Sequence, residues 1–225
     1  MTQYKTLTDL FLEWKSVSQA SNEFTEDGII YPDRWAISKK KILFVLKEPG
    51  EDPTKYIDCK SDSLLDLYRQ WKGAKFSFNY LGRTAYGIQN ATKEGYPSYE
   101  TACQAGNKDE AFLSTAFMNL KKTPTARSNR STDTKVLEAY VKKYAIFIKD
   151  QILIIQPDVV ISCGDVTDSF LRLAILNSDS NEFRKMVFLK TCHPTARSWR
   201  NSQGIVRRKK SEGYKELLDE YLKYL

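Results

Sequence analysis

Three side chains that could take part in one reaction follow three apolar stretches of the sequence. Glu48 comes shortly after ILFVL, Asn119 ends STAFMN, and His193, the single histidine of the 225-residue chain, follows MVFLK. A carboxylate can act as a general base or hold a water. A carboxamide can read a ligand edge through its paired donor and acceptor, and an imidazole can donate a hydrogen bond to developing negative charge. Each also has a structural explanation, as a turn residue, a side chain bonded to its own backbone, or a packed histidine.

The stretches that precede these side chains predict buried strands. ILFVL (42–46) is short and apolar throughout, as in strands covered on both faces, and Pro49-Gly50 ends it. Further strands are predicted at 114–119, 158–162 and 186–190. Because ligands of open parallel sheets bind outside the carboxyl ends of the strands, we expect the three side chains to meet at one edge.

Helices are predicted between these strands, so the fold class follows from the alternation. Apolar residues recur at helical spacing in five segments: 7–14, 61–72, 133–156, 166–174 and 214–225. Alternating strands and helices predict an α/β fold, a three-layer α/β/α sandwich with a central, largely parallel four-stranded sheet. One domain is expected over 1–225, with an N-terminal helical extension at about 1–40.

One aromatic stretch does not show helical periodicity. Residues 76–90, FSFNYLGRTAYGIQN, contain two glycines among their aromatic side chains. This composition predicts a long functional loop, or a loop with short helical turns.

The charge balance favours an anionic partner. The chain carries a formal charge of +7 and a pI of about 9.1, which favours nucleic acid first, with a merely solvated basic surface as the alternative. Its four cysteines are widely spaced and show no zinc-binding pattern, so we expect free thiols in a reducing, cytoplasmic compartment. No apolar run has the length of a membrane span, and no membrane partner is expected.

A short sequence occurs twice with one difference. PTARSNR (124–130) and PTARSWR (194–200) each follow a predicted strand. Loops that combine hydroxyl groups and arginines suit contact with phosphate, although coincidence is the alternative. If both loops lie on one edge of the sheet, four arginines line one groove: Arg127, Arg130, Arg197 and Arg200.

Five segments, in chain order, resemble the motifs of the uracil-DNA glycosylase superfamily. They are ILFVLKEPG (42–50), NYLGRT (79–84), AFMNLKKTP (116–124), QPDVVISCG (156–164) and HPTARS (193–198). Together they cover roughly residues 41–200, and their strength lies in their order, since no single match is specific.

The resemblance implies a DNA glycosylase with defined roles for the strand-end residues. Glu48 would act on the attacking water, and Pro49 and Gly50 would contribute to binding of the base. Tyr80 would stack on the flipped base, and Asn119 would hydrogen-bond its edge. His193 would stabilise negative charge on the leaving base.

The resemblance also implies contacts with single- or double-stranded DNA. The loop that would enter the DNA beside the extruded nucleotide contains Thr195, Arg197, Ser198, Trp199 and Arg200. Arg83, and Arg127 and Arg130 of the repeated sequence, are further candidates for contact with DNA. The motif pattern is nearest to that of the iron–sulphur branch, but Thr123 and Tyr144 stand where cluster cysteines would be expected. We therefore expect no cluster, no metal and no other cofactor, and the protein is expected to be a monomer.

Two other functions stay open on the sequence. The same fold could bind DNA or a modified base without cleaving it, because the acidic residue of the first motif varies among the branches of the superfamily. An enzyme that acts on free nucleosides or nucleotides is the third hypothesis, although such an enzyme would not need the two arginine-bearing loops.

Overall fold

A four-stranded parallel sheet forms the centre of the molecule. The computed structural model describes residues 2–19, 24–49, 75–124, 132–175, 181–194, 199–201, 204–206 and 210–225. The strands are β1 (Ile42–Leu46), β2 (Ala116–Asn119), β3 (Val159–Cys163) and β4 (Val187–Thr191). Their order is β2-β1-β3-β4, and every neighbouring pair is parallel. The predicted central sheet is confirmed.

The other secondary-structure elements of the described residues are helices and one further pair of strands. The helices are α1 (Leu7–Ser18), α2 (Pro32–Ala36), α3 (Lys75–Gln89), α4 (Tyr99–Cys103), α5 (Ala105–Leu113), α6 (Thr134–Ile155), α7 (Asp165–Ile175), α8 (Asn181–Arg184) and α9 (Lys210–Leu222). Strands β5 (Trp199–Asn201) and β6 (Gly204–Val206) form an antiparallel pair of their own. None of the described helices has the length and apolar character needed to cross a membrane.

The helices cover both faces of the sheet. In β1, Leu43 and Val45 contact the cluster built with α1, α6, α7 and α8. Ile42 and Phe44 point to the opposite cluster, which includes α3, α4, α5 and α9. All four side chains are fully buried, as expected for a parallel strand with helices on both sides. The three-layer α/β/α sandwich is therefore confirmed.

The predicted strands lie where expected, but the predicted loop at 76–90 is wrong. Strand β1 has its predicted bounds, and the other strands begin one or two residues later than predicted. Residues 75–89 instead form helix α3, which packs against α5. A Cβ on Gly82 would lie 2.3 Å from the Lys108 carbonyl oxygen, so this glycine permits close helix packing. The predicted helix at 61–72 lies outside the described residues.

The N-terminal region forms helix α1 and also pairs with the outer side of strand β2. The Ile30 amide donates to the Thr115 carbonyl at 3.0 Å, and the Phe117 amide donates to the Gly28 carbonyl at 2.9 Å. Ile29 and Ala116 form an antiparallel bridge. The stretch between α1 and α2 therefore runs alongside β2, an arrangement that the predicted helical extension did not include.

Candidate functional site

The carboxyl ends of the parallel strands bring the predicted catalytic residues to one edge of the sheet. Asn119 is the last residue of β2 and pairs in register with Leu46, the last residue of β1. Glu48 follows β1 by two residues, and His193 follows β4 by two residues. This placement agrees with the rule that ligands of parallel sheets bind at this edge.

Glu48 is anchored at the start of helix α6. The Thr132 backbone amide donates to Oε1 at 2.9 Å, and the Thr132 hydroxyl donates to Oε2. The Lys47 ammonium lies 3.7 Å from Oε1 and donates to the Thr132 carbonyl at 2.6 Å. Only 11% of the Glu48 side chain is exposed. Because helix N-termini and ammonium groups favour negative charge, this setting suits an ionised carboxylate that can orient water or stabilise a developing cation.

Asn119 has a fixed amide with one free acceptor. Its backbone amide and its Nδ2 group both donate to Asp27 Oδ2, at 2.7 and 3.0 Å. The residue is 4% exposed, and its Oδ1 atom has no hydrogen-bond partner among the described residues. A buried polar group without a partner costs about 1–3 kcal/mol. Such an atom at a strand end is well suited to accept a hydrogen bond from a ligand.

His193 carries an imidazole that is biased toward its neutral form. The residue is exposed as a whole, yet neighbouring atoms desolvate its ring enough to lower its pKa, and the nearby Lys47 charge lowers the pKa further. At pH 7 the ring is therefore mostly neutral, and a neutral imidazole carries one N–H donor and one acceptor nitrogen. Lys47 and His193 both lie at the carboxyl ends of the sheet, after β1 and after β4.

A glycine shapes the turn beside His193. Gly164 follows β3 with a φ of +110°, a conformation that side chains rarely adopt, and its amide donates to the Thr191 carbonyl at 2.7 Å. Its closest surroundings include the backbone of His193, 4.0 Å from where a Cβ would lie. The glycine of the QPDVVISCG segment is therefore required by backbone geometry next to the site.

Tyr80 does not present a stacking surface in this structure. The residue is 2% exposed and lies on α3 within the core, and its hydroxyl lies 2.5 Å from Thr191 Oγ1. Burial raises the pKa of this phenol well above its usual value. The role predicted from the resemblance, a ring stacked on a flipped base, requires a free ring face, and this buried ring has none. A loop was predicted at this position, whereas the structure has helix α3.

Arg83 lies on the same helix and contributes positive charge. Its Nη1 donates to the Tyr99 hydroxyl at 2.7 Å, and its guanidinium lies 5.3 Å from the centre of the Tyr99 ring. Burial lowers the pKa of Lys210, and the neighbouring Arg83 charge lowers it further. Two cationic side chains therefore influence each other at α3 and α9.

The remaining predicted contacts fall at or beyond the limits of the described residues. Pro49 is buried, and Trp199 and Arg200 lie on β5. The others lie outside the described residues: Gly50, Arg127, Arg130, Thr195, Arg197 and Ser198. The groove lined by four arginines stays a prediction.

Sequence reasoning missed several residues that hold the site. Lys47 and Thr132 adjoin predicted elements, so polar residues at the end of β1 and before α6 were the available signal. Asp27 contacts Asn119 across 92 positions of sequence. No local pattern marks such a partner, because the contact depends on the path of the N-terminal segment beside β2.

Comparison of the chain with protein-family models and with curated proteins finds no match. The fold and the edge together define an α/β/α sandwich with a carboxylate, an amide and an imidazole at the carboxyl ends of its parallel strands. The resemblance to uracil-DNA glycosylases rests on the five motifs of the sequence.

Proposed function

We propose that this protein is a DNA glycosylase that hydrolyses the N-glycosidic bond of uracil or another altered base, after that base has been flipped out of the DNA. The observation that carries the proposal is the buried Asn119 carboxamide, which ends a parallel strand and whose Oδ1 atom has no hydrogen-bond partner among the described residues. Glu48 follows β1, which pairs with β2, and His193 follows β4 on the other side of the sheet. The motif order supports the same function.

Base flipping explains why the proposed base-reading side chain, Asn119, can be buried. The glycosidic bond cannot be reached inside a duplex, and extrusion of a base costs a few kcal/mol, least for a mismatched or damaged base. In the proposed complex the edge of the extruded base pairs with the Asn119 carboxamide. That contact returns part of the cost of flipping and distinguishes one base from another.

Glu48 and His193 would stabilise the charges that cleavage of the glycosidic bond creates. In the proposed reaction the glycosidic electron pair leaves with the base, the sugar gains positive character, and a water oxygen then bonds to the sugar. Glu48 stabilises the sugar cation and orients this water, while the neutral His193 ring donates a hydrogen bond to the base anion. The proton lost by the water ends on the released base, so the reaction is a balanced hydrolysis.

The basic character of the protein supports DNA as the partner. The net charge is +7, and Arg83 and Lys210 lie close enough for one charge to influence the other. Positive charge attracts the phosphate backbone regardless of sequence, and binding of that kind weakens as salt increases.

A panel of labelled oligonucleotides tests the proposal. Each carries one uracil, hypoxanthine, xanthine or modified cytosine, in single or double strands, and is incubated with the protein in chelator before alkaline cleavage of abasic sites. We expect strand breaks at one class of base, and their loss in Asn119→Ala and His193→Ala. Asn90→Ala is the matched control, because Asn90 is exposed and its side chain bonds only locally to the Tyr86 carbonyl.

A non-cleaving reader of modified bases is the second candidate. The observation that favours it is that Thr132 already donates to both oxygens of Glu48, which reduces the capacity of the carboxylate to activate a water. Binding across the same panel without any abasic product, at high protein concentration and long times, would select this function.

A further inference from the structure

A buried carboxylate holds the reading group of the proposed site. Asp27 Oδ2 accepts the backbone and side-chain amides of Asn119, at 2.7 and 3.0 Å. Its Oδ1 accepts the Lys122 ammonium at 2.5 Å and the Gln151 side-chain amide at 2.8 Å. A carboxylate offers about four acceptor positions, so these four donors saturate Asp27 and prevent it from rotating.

The saturated carboxylate sets the orientation of the Asn119 amide. An ionised carboxylate only accepts hydrogen bonds, so the amide must turn its Nδ2 group toward Asp27. The Asn119 Oδ1 atom then points away from Asp27, where it is buried and without a partner among the described residues. The reverse orientation would set two acceptors against each other, which buried polar groups avoid.

Lys122 stabilises the negative charge on Asp27. Both side chains of this ion pair are 0% exposed, and the ammonium lies 5.2 Å from the Trp14 ring and 5.7 Å from the Phe11 ring. Burial lowers the pKa of Lys122, and the Asp27 charge opposes that effect. Buried ion pairs are often no more stable than well-packed apolar residues. A pair placed next to a strand-end amide therefore calls for an explanation beyond stability.

We propose that Asp27, held by Lys122 and Gln151, is the positioning residue that presents Asn119 Oδ1 as the acceptor for a ring N–H of the extruded base. The inference rests on the proposed function and adds the residue that fixes the orientation of its base-reading side chain. Bases with a lactam or imide edge, such as uracil, hypoxanthine and xanthine, carry that N–H. Cytosine and adenine place an acceptor nitrogen at the equivalent position, so they meet the oxygen lone pair and are rejected.

The test compares base selectivity, because a merely structural role would lower all rates together. Asp27→Asn combined with Lys122→Met removes both charges, keeps similar volumes and gives Asn119 a partner that can either donate or accept. We expect the rate ratio for uracil over cytosine, and for hypoxanthine over adenine, to fall at least tenfold. The control is Glu138→Gln with Lys142→Met, which removes an exposed ion pair of 2.7 Å on α6.

A folded double variant that keeps the wild-type ratio overturns the inference, even if every rate has fallen. If the double variant does not fold, Gln151→Met removes one donor to Asp27 without changing charge. The same drop in selectivity, smaller in size, is then expected, and an unchanged ratio overturns the inference.

A second measurement separates this inference from the proposed function. Hydrogen exchange of the Asn119 side-chain amide, followed by NMR, should be slow in the wild type and faster in the double variant or in Gln151→Met. If the protein cleaves no base, the proposed function fails while this exchange still reports whether Asp27 fixes the amide. Equal exchange in the wild type and the folded variant overturns the positioning role.

Discussion

At the scale of single residues, His193 is the most accessible to measurement because it is the only histidine. Its pKa is lowered by desolvation of the ring and by the Lys47 charge. We expect its ring proton resonances to titrate with a midpoint below the usual value of 6.5. Lys47→Met should raise that midpoint, and Lys39→Met, which removes a lysine outside the site, should not. A midpoint at or above 6.5 in the wild type would contradict the described environment.

The same shift has a consequence for stability. Because the folded-state pKa lies below the unfolded value, the unfolded chain takes up the proton first as the pH falls. His193 therefore has no effect on stability above about pH 7 and lowers it as the pH falls through about 6.5. As the pH falls from about 7 to below about 6.5, the wild type should therefore lose more unfolding free energy than His193→Gln. Chemical denaturation at several pH values measures this difference.

The Asp27 ion pair gives a second prediction at this scale. Asp27→Ala leaves the Lys122 ammonium buried without its partner, and a broken buried pair typically costs about 3–5 kcal/mol. Urea denaturation should show a loss of that size. The control is Asp219→Ala, which removes a largely exposed partner of Lys215, and a change of about 1 kcal/mol or less is expected. Equal small losses in both variants would show that the buried pair is not intact.

Single residues also show what the sequence could predict of the site. The placement of Glu48, Asn119 and His193 at strand ends was predictable, because each lies at or just after the end of an apolar stretch. Asp27 was not predictable, because a partner 92 positions away leaves no local signal. Tyr80 was expected in a loop and instead lies buried on helix α3.

At the scale of elements, the strands were predictable and helix α3 was not. A short apolar run such as ILFVL has few alternatives to a buried strand, and β1 has the predicted bounds. Helix α3 contains Gly82 and Gly87, which favour a loop when only local propensity is considered. Both glycines face neighbouring helices at distances that leave no space for a Cβ. Tertiary packing therefore overrides the local preference.

Gly82 provides a direct test of this explanation. A Cβ at Gly82 would lie 2.3 Å from the Lys108 carbonyl oxygen, so Gly82→Ala must push α3 and α5 apart. We expect a loss of stability of about 1–3 kcal/mol, measured by chemical denaturation. Gly106→Ala is the matched control on α5, where nothing lies within 4 Å of the added atom. That variant should be neutral or stabilising by up to about 1 kcal/mol, and a similar loss in both would contradict the packing argument.

At the scale of the whole molecule, the layered fold followed from the alternation of strands and helices, whereas the route of the N-terminal segment beside β2 did not. Local propensity indicates which secondary structure a segment forms. The bridge between Ile29 and Ala116 depends instead on β2 being an outer strand, whose free side can pair with another segment. The same pairing beside β2 brings Asp27 to Asn119.

The net charge of +7 leads to a prediction for DNA binding. The logarithm of the binding constant should fall linearly with the logarithm of salt concentration, because phosphate contacts release counterions. Arg83→Gln should weaken binding for all sequences and reduce the slope by about 1. Lys142→Gln, on the exposed face of α6, should leave the slope unchanged. Binding without salt dependence would argue against a nucleic-acid partner and in favour of a free nucleoside or nucleotide.

Detection of the released base by mass spectrometry under single-turnover conditions decides whether the protein cleaves the glycosidic bond. The substrate is DNA with one uracil or hypoxanthine, and the proteins are the wild type, Glu48→Gln and Glu138→Gln as a surface control. We expect free base in equal molar amount to the abasic strand with the wild type and the control, and a large loss of rate with Glu48→Gln. If no substrate releases free base although binding persists, the protein is not a glycosylase. That result would support the non-cleaving reader of modified bases.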